Sequence, residues 1–174
     1  MIHLRYGDNK PKYIRWAIYT LFIAVAVILQ NSSGGLLEFF GARVLLCLPV
    51  CISIAMFERE VPAAIFGVIG GALWDISGGA DGFNAFFVMV LCAVVSLLIS
   101  HLMRNNIITA FVLNGSALAI YQLLYIIIRI AYAGNPIRQM FTFYLPSLLI
   151  SMVFVPACYF IIKSVFDSHK TVDE

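Results

Sequence analysis

Ala63-Ala64-Ile65-Phe66-Gly67-Val68-Ile69-Gly70-Gly71-Ala72-Leu73-Trp74-Asp75 is an apolar run that closes on an acid. Ala63, Gly67, Gly71 and Asp75 recur every four residues, so on a helix they form one stripe. Small residues at this spacing let a neighbouring backbone approach closely. In lipid this matters because helices associate there by packing and polar contacts rather than by hydrophobic expulsion. Gly70 widens the flat face. The turn Ser77-Gly78-Gly79-Ala80-Asp81-Gly82 follows, and Asn84 then opens the next apolar run, where its side chain can cap a helix. An acid at the end of such a stripe is either solvated at the interface or buried and paired between helices. Its alignment with the glycines favours burial, and buried ionisable groups in membranes are functional or strongly structural.

The rest of the chain has the same character. Of 174 residues, 62% are hydrophobic and 11% charged, against about 25% charged in a soluble domain. So few charges cannot cover a water-exposed surface, and the apolar runs are long enough to cross a bilayer. The net charge of +2 and the absence of a basic patch argue against nucleic acid as a partner. Six spanning segments can be drawn: Ile14–Leu29, Val44–Phe57, Val61–Trp74, Asn84–His101, Ile107–Ile128 and Phe143–Val165. The second and third are short against the roughly 20 residues a spanning helix needs. Only Glu58-Arg59-Glu60 separates them, with Pro62 suited to a first helical turn. This predicts a tight helical hairpin whose helices borrow flanking residues, with a re-entrant pair as the alternative. The expected fold is all-α: one polytopic domain over residues 1–174, with a cytoplasmic N-terminus at 1–13 and a short cytoplasmic tail at 166–174.

Orientation follows from the cations. With the N-terminus inside, the inner segments hold Arg5, Lys10, Lys12, Arg15, Arg59, Arg104, Lys163 and Lys170, and the outer ones only Arg43, Arg129 and Arg138. Both termini are therefore expected in the cytoplasm. Tyr13, Trp16 and Tyr19 at one end, and Trp74, Phe143 and Tyr144 at the other, read as interface aromatics. The basic stretch Arg5–Arg15 precedes a run without a small-x-small cleavage site, so it reads as leading into a first membrane helix rather than as a removable signal. Cys47, Cys51, Cys92 and Cys158 lie in apolar runs and read as small packing residues. Cys47 and Cys51 share a face but lack the further ligands a metal would need.

Topology suggests a partner for Asp75. Arg129 ends the fifth segment near the same outer face. Gln122, Tyr125 and Arg129 lie on one side of that helix, with Asn114 two turns earlier. An Asp75–Arg129 pair, or an Asp75 contact with Tyr125, is expected, the alternative being that Arg129 snorkels to lipid headgroups. Asn114, Gln122, Tyr125 and Arg129 thus form a candidate polar cluster. In the last segment Pro146, Ser147, Ser151 and Pro156 predict a kink whose freed backbone the serines can satisfy.

Phe66-Gly67-Val68-Ile69-Gly70-Gly71-Ala72-Leu73-Trp74-Asp75, followed by Gly82-Phe83-Asn84-Ala85, resembles the rod shape-determining protein MreD family. That family has two glycines four apart, an acid four beyond, and a Gly-x-Asn-Ala-like start to the next helix. Leu29-Gln30 at the close of helix 1 also looks like the family pattern. The chain departs from it with Ala42-Arg43, where members often show Pro-Asp before helix 2, and with a slightly shorter turn between Asp75 and Gly82. The specific likeness covers about twenty residues, and the C-terminal half matches by hydropathy alone. The resemblance implies a non-enzymatic subunit of the cell-elongation machinery in the bacterial cytoplasmic membrane. It would work beside MreC as its direct helix-mediated partner, with the MreB filament, the RodA glycosyltransferase and its penicillin-binding transpeptidase in the same complex. The family is similar in fold to the substrate-binding subunits of energy-coupling-factor vitamin transporters, which implies a six-helix bundle with a cavity near its outer side.

Two functions compete. A membrane scaffold would use the glycine stripe either inside the bundle or against a partner's helix, the internal use being favoured because the stripe ends in an acid. A vitamin-type transporter subunit would need converging polar groups, which Asp75, Asn84, Asn114, Gln122 and Tyr125 could supply. Such subunits commonly carry Ala-x-x-x-Ala in helix 1, whereas here Leu21 follows Ala17 and Ile28 follows Ala24. No Gly-x-Ser-x-Gly, His-Glu-x-x-His or paired-aspartate signature lies in the apolar segments, and Asp75 and His101 fall at opposite faces, so the chain reads as non-enzymatic and without a cofactor.

Overall fold

The computed structural model describes residues 10–32, 38–39, 42–78, 82–130 and 145–169. Their elements are α1 (Lys10–Asn31), a two-residue antiparallel ladder of β1 (Glu38–Phe39) with β2 (Ala42–Arg43), α2 (Cys47–Ala55), α3 (Glu60–Gly78), α4 (Phe83–His101), α5 (Ile107–Ile130) and α6 (Leu145–Ser168). Five of these helices, all but α2, are long and apolar enough to cross a membrane. Leu21, Ile28, Val61, Ile76, Phe86 and Val153 point outward and are exposed. An apolar exterior over an apolar core is what a bilayer solvent demands, and the chain is a helical multi-pass membrane protein.

α3, which the apolar run ended at Trp74, extends through Gly78 and is a full 19 residues. The last helix runs to Ser168, into the stretch expected as a free tail. The correction of most consequence is α2. It has nine residues, all buried, and rises only roughly 13 Å, too little for a hydrocarbon core of about 30 Å. The expected span Val44–Phe57 is a short helix with non-helical flanks, held inside the bundle against α1, α3, α4, α5 and α6. Hydropathy could not separate the helical from the non-helical part, because burial makes both apolar.

Non-helical backbone survives at this depth only if protein groups satisfy it. Ser151 Oγ on α6 accepts from the Leu45 amide at 2.9 Å and donates to Ser147 O at 2.7 Å. Gln30 Oε1, in the last turn of α1, accepts from the amides of Leu46 and Cys47, each at 2.9 Å. These bonds serve the free N–H groups at the start of α2, which has no side-chain cap of its own. At its other end Asn105 Nδ2 donates to Met56 O at 2.8 Å, and Ser96 Oγ donates to Glu58 O at 2.8 Å. Ser151, one of the serines expected to satisfy backbone of the last helix, does so at Ser147 O and serves a neighbouring segment at the same time.

Side-chain contacts also fix the order of the ends. Gln30 meets the start of α2 and Arg15 meets Glu58 after it, so α1 and α2 run antiparallel. Arg15 Nη1 donates to His169 O at 3.5 Å, which puts the beginning of α1 and the end of α6 at the same end of the bundle.

Candidate functional site

Two polar centres lie at opposite ends of the bundle. The first is built on the glycine stripe. Gly67 and Gly71 face the backbone of α4: a Cβ on Gly67 would stand 2.8 Å from Met89 Cα, and one on Gly71 would run into Asn84 O and stand 2.5 Å from Ala85 Cα. Gly70 faces α2 instead, where a Cβ would collide with Cys51 Sγ and stand 3.4 Å from Cys47 Sγ. Ala63, at the start of the stripe, is fully buried. Of the two uses weighed for the stripe, the internal one is what these contacts describe. No side chain larger than hydrogen fits between α3 and α4 at Gly67 and Gly71 without moving a backbone.

That close approach delivers Asp75 to the start of α4. Asp75 Oδ2 accepts from the Ala85 amide at 2.8 Å and Oδ1 from the Asn84 amide at 3.2 Å, and the residue is 5% exposed. A carboxylate at a helix N-terminus takes up orphan donors and meets the positive end of the helix dipole. Asn84, expected to cap the helix with its own side chain, does not. The N-cap is Gly82, at φ +83 and without a side-chain bond, and the acid of the preceding helix takes the capping role. Asn84 Oδ1 instead accepts from Tyr121 Oη at 2.8 Å. Trp74, Phe87 and Tyr125 pack their rings on Tyr121 at centroid distances of 5.1, 5.6 and 6.3 Å. Trp74, read as an interface aromatic, is thus a core residue at 8% exposure.

The expected Asp75–Arg129 pair falls on a side chain outside the described residues, as do Phe143 and Tyr144. Elsewhere in the expected cluster, Asn114 is fully buried and donates to Ala110 O at 2.9 Å, while its Oδ1 has no hydrogen-bond partner among the described residues. Gln122 is buried and its Nε2 is likewise unpartnered. Tyr125 is 37% exposed.

The second centre was not foreseen. Arg15 Nε lies 2.8 Å from Glu58 Oε1, both side chains essentially without exposure. The guanidinium sits 4.7 Å from the Phe166 ring centroid, a cation–π contact. Phe57 packs on Phe166 and Tyr159, and Tyr159 Oη donates to Asn105 Oδ1 at 3.2 Å. This centre joins α1, the α2–α3 turn and α6, and reaches the α4–α5 connection through Asn105. In the sequence Arg15 counts among the inner-side cations and Glu58 lies in the turn between the second and third segments, with neither paired. The reasoning that matched Asp75 to a cation at its own membrane depth would have found them, since both fall at the same end of neighbouring helices.

Among the described residues, no group of three His, Cys, Asp or Glu side chains gathers as a metal site. The four cysteines are free and buried, with Cys47 and Cys51 Sγ 4.0 Å apart against α3. An apolar groove of about 190 Å3 runs along the outside of the bundle between α1 and α3. No family model matches the chain, and neither curated proteins nor solved structures yield a match to it.

Proposed function

We propose that the chain is a non-enzymatic scaffold of the MreD type, supporting lateral wall synthesis and cell-shape maintenance from the bacterial cytoplasmic membrane, with both termini in the cytoplasm and MreC as its direct partner. On this reading the fold is the six-helix bundle of the vitamin-binding transporter subunits, put to structural use. The observation that carries it is the fate of the residues behind the resemblance. Gly67 and Gly71 admit α4, Asp75 binds the amides of Asn84 and Ala85, and Asn84 is held by Tyr121. Groups spent on one another in this way build a rigid bundle and leave its outer faces for a partner's helix. They leave Asp75 and Asn84 poorly placed to receive a substrate.

Gly71→Leu tests this by separating packing from docking. With a tagged chain co-expressed with an MreC-type single-span protein, the wild type retains the partner through purification. The variant accumulates several-fold less, while the partner bound per surviving chain stays constant. Normal accumulation with the partner lost would make the stripe a docking face and overturn the internal reading. Loss of partner retention by the wild type itself would remove the scaffold. Asn114 Oδ1 and Gln122 Nε2, without hydrogen-bond partners among the described residues, favour the second reading, a transporter subunit. Mass spectrometry of the same wild-type preparation distinguishes it by a stoichiometric small molecule in place of the protein partner.

A further inference from the structure

The groove between α1 and α3 is lined by Trp16, Ala17 and Thr20 on one side and by Pro62, Ile65, Phe66 and Ile69 on the other. Its wall is hydrocarbon and it opens to the outside of the bundle, so in the membrane it meets acyl chains. The end near Arg15 differs in chemistry. Lys12 Nζ stands 5.1 Å from the Trp16 ring centroid, one helical turn before the groove begins. Trp16 Nε1 is a buried donor without a hydrogen-bond partner among the described residues. Arg59 is exposed three residues before Pro62, beside Glu60, whose carboxylate accepts from Ser100 Oγ on α4 at 3.2 Å and also feels the Arg59 charge. Within this centre Arg15 is already committed to Glu58.

We infer that this groove binds one anionic phospholipid, with an acyl chain along Ala17, Ile65 and Ile69, the phosphate at Lys12 and Arg59, and an ester carbonyl on Trp16 N–H. The choice of a lipid over a partner's helix rests on what the mouth lacks. An N–H and two cations call for acceptors at headgroup depth, and a lipid carries phosphate and ester oxygens there. The carbonyls of a crossing helix are already bonded within it. Indole rings favour this depth, and basic pockets between helices attract anionic headgroups.

The test uses the full-length protein in detergent, equilibrated with equimolar phosphatidylglycerol and phosphatidylcholine of identical chains, with retained lipid counted by native mass spectrometry. The wild type retains one phosphatidylglycerol in preference to phosphatidylcholine. Lys12→Gln lowers that preference about fivefold, the worth of one cation near the surface. Lys163→Gln, on the exposed face of α6, removes the same charge and leaves the preference intact. Ile65→Trp fills the groove and lowers retention of both lipids. Equal retention of the two lipids by the wild type overturns the inference. So does an equal effect of the two lysine substitutions, or a photo-cross-linker at Ile65 that captures a protein helix instead of lipid in native membranes.

Discussion

Two buried acids mark the two ends of this bundle, and they are stabilised by different means. Asp75 rests on the amides of Asn84 and Ala85, part of a helix start whose dipole is fixed once α3 and α4 pack. Glu58 rests on a long side chain, the Arg15 guanidinium, which must itself be desolvated, oriented and covered by Phe166. The first arrangement asks for a backbone at the right height and glycines that let it approach. The second asks for a second charge from a distant part of the sequence, and its cost of burial is repaid only while both partners are present.

That difference sets the order of mutational effects. Glu58→Ala removes the carboxylate 2.8 Å from the buried Arg15 guanidinium and is expected to cost about 3–5 kcal/mol, the penalty for breaking a buried pair. It would be read as a sharp loss of folded protein in a detergent melt. Replacing both residues, Arg15→Met with Glu58→Leu, should recover most of that loss, because neither half of the pair is then left buried without the other. A double variant as unstable as the single one would show that the pair does more than neutralise itself. At the other end Tyr121→Phe removes the hydroxyl that donates to Asn84 Oδ1. It is expected to cost about 1 kcal/mol, since the ring packing against Trp74 and Phe87 survives. A cost as large as that of Glu58→Ala would mean that the Asp75 end is equally dependent on side-chain partners.

The two ends also differ in how far the sequence revealed them. Asp75 meets α4 within ten residues along the chain, and its stripe is periodic, so spacing alone suggested an internal helix contact. The capping arrangement was misassigned to Asn84, because a cap is ordinarily sought on the helix it serves. Arg15 and Glu58 are distant in sequence, and each sits beside other charges that read naturally as a solvated fringe. Long helices such as α4 and α5 were legible to within a few residues because lipid imposes length. α2 was not. A segment enclosed on all sides has no periodic face, and its supports, Gln30 and Ser151, lie on other helices.

Amide hydrogen exchange at the start of α4, in lipid nanodiscs, tests the Asp75 arrangement most directly. The wild type should protect the amides of Asn84 and Ala85 as strongly as the middle of the helix, and Asp75→Asn should speed exchange there while leaving the far end of α4 unchanged. Rapid exchange of those two amides in the wild type, or no response to the substitution, would contradict the claim that the acid at the end of the glycine stripe holds α4 to α3.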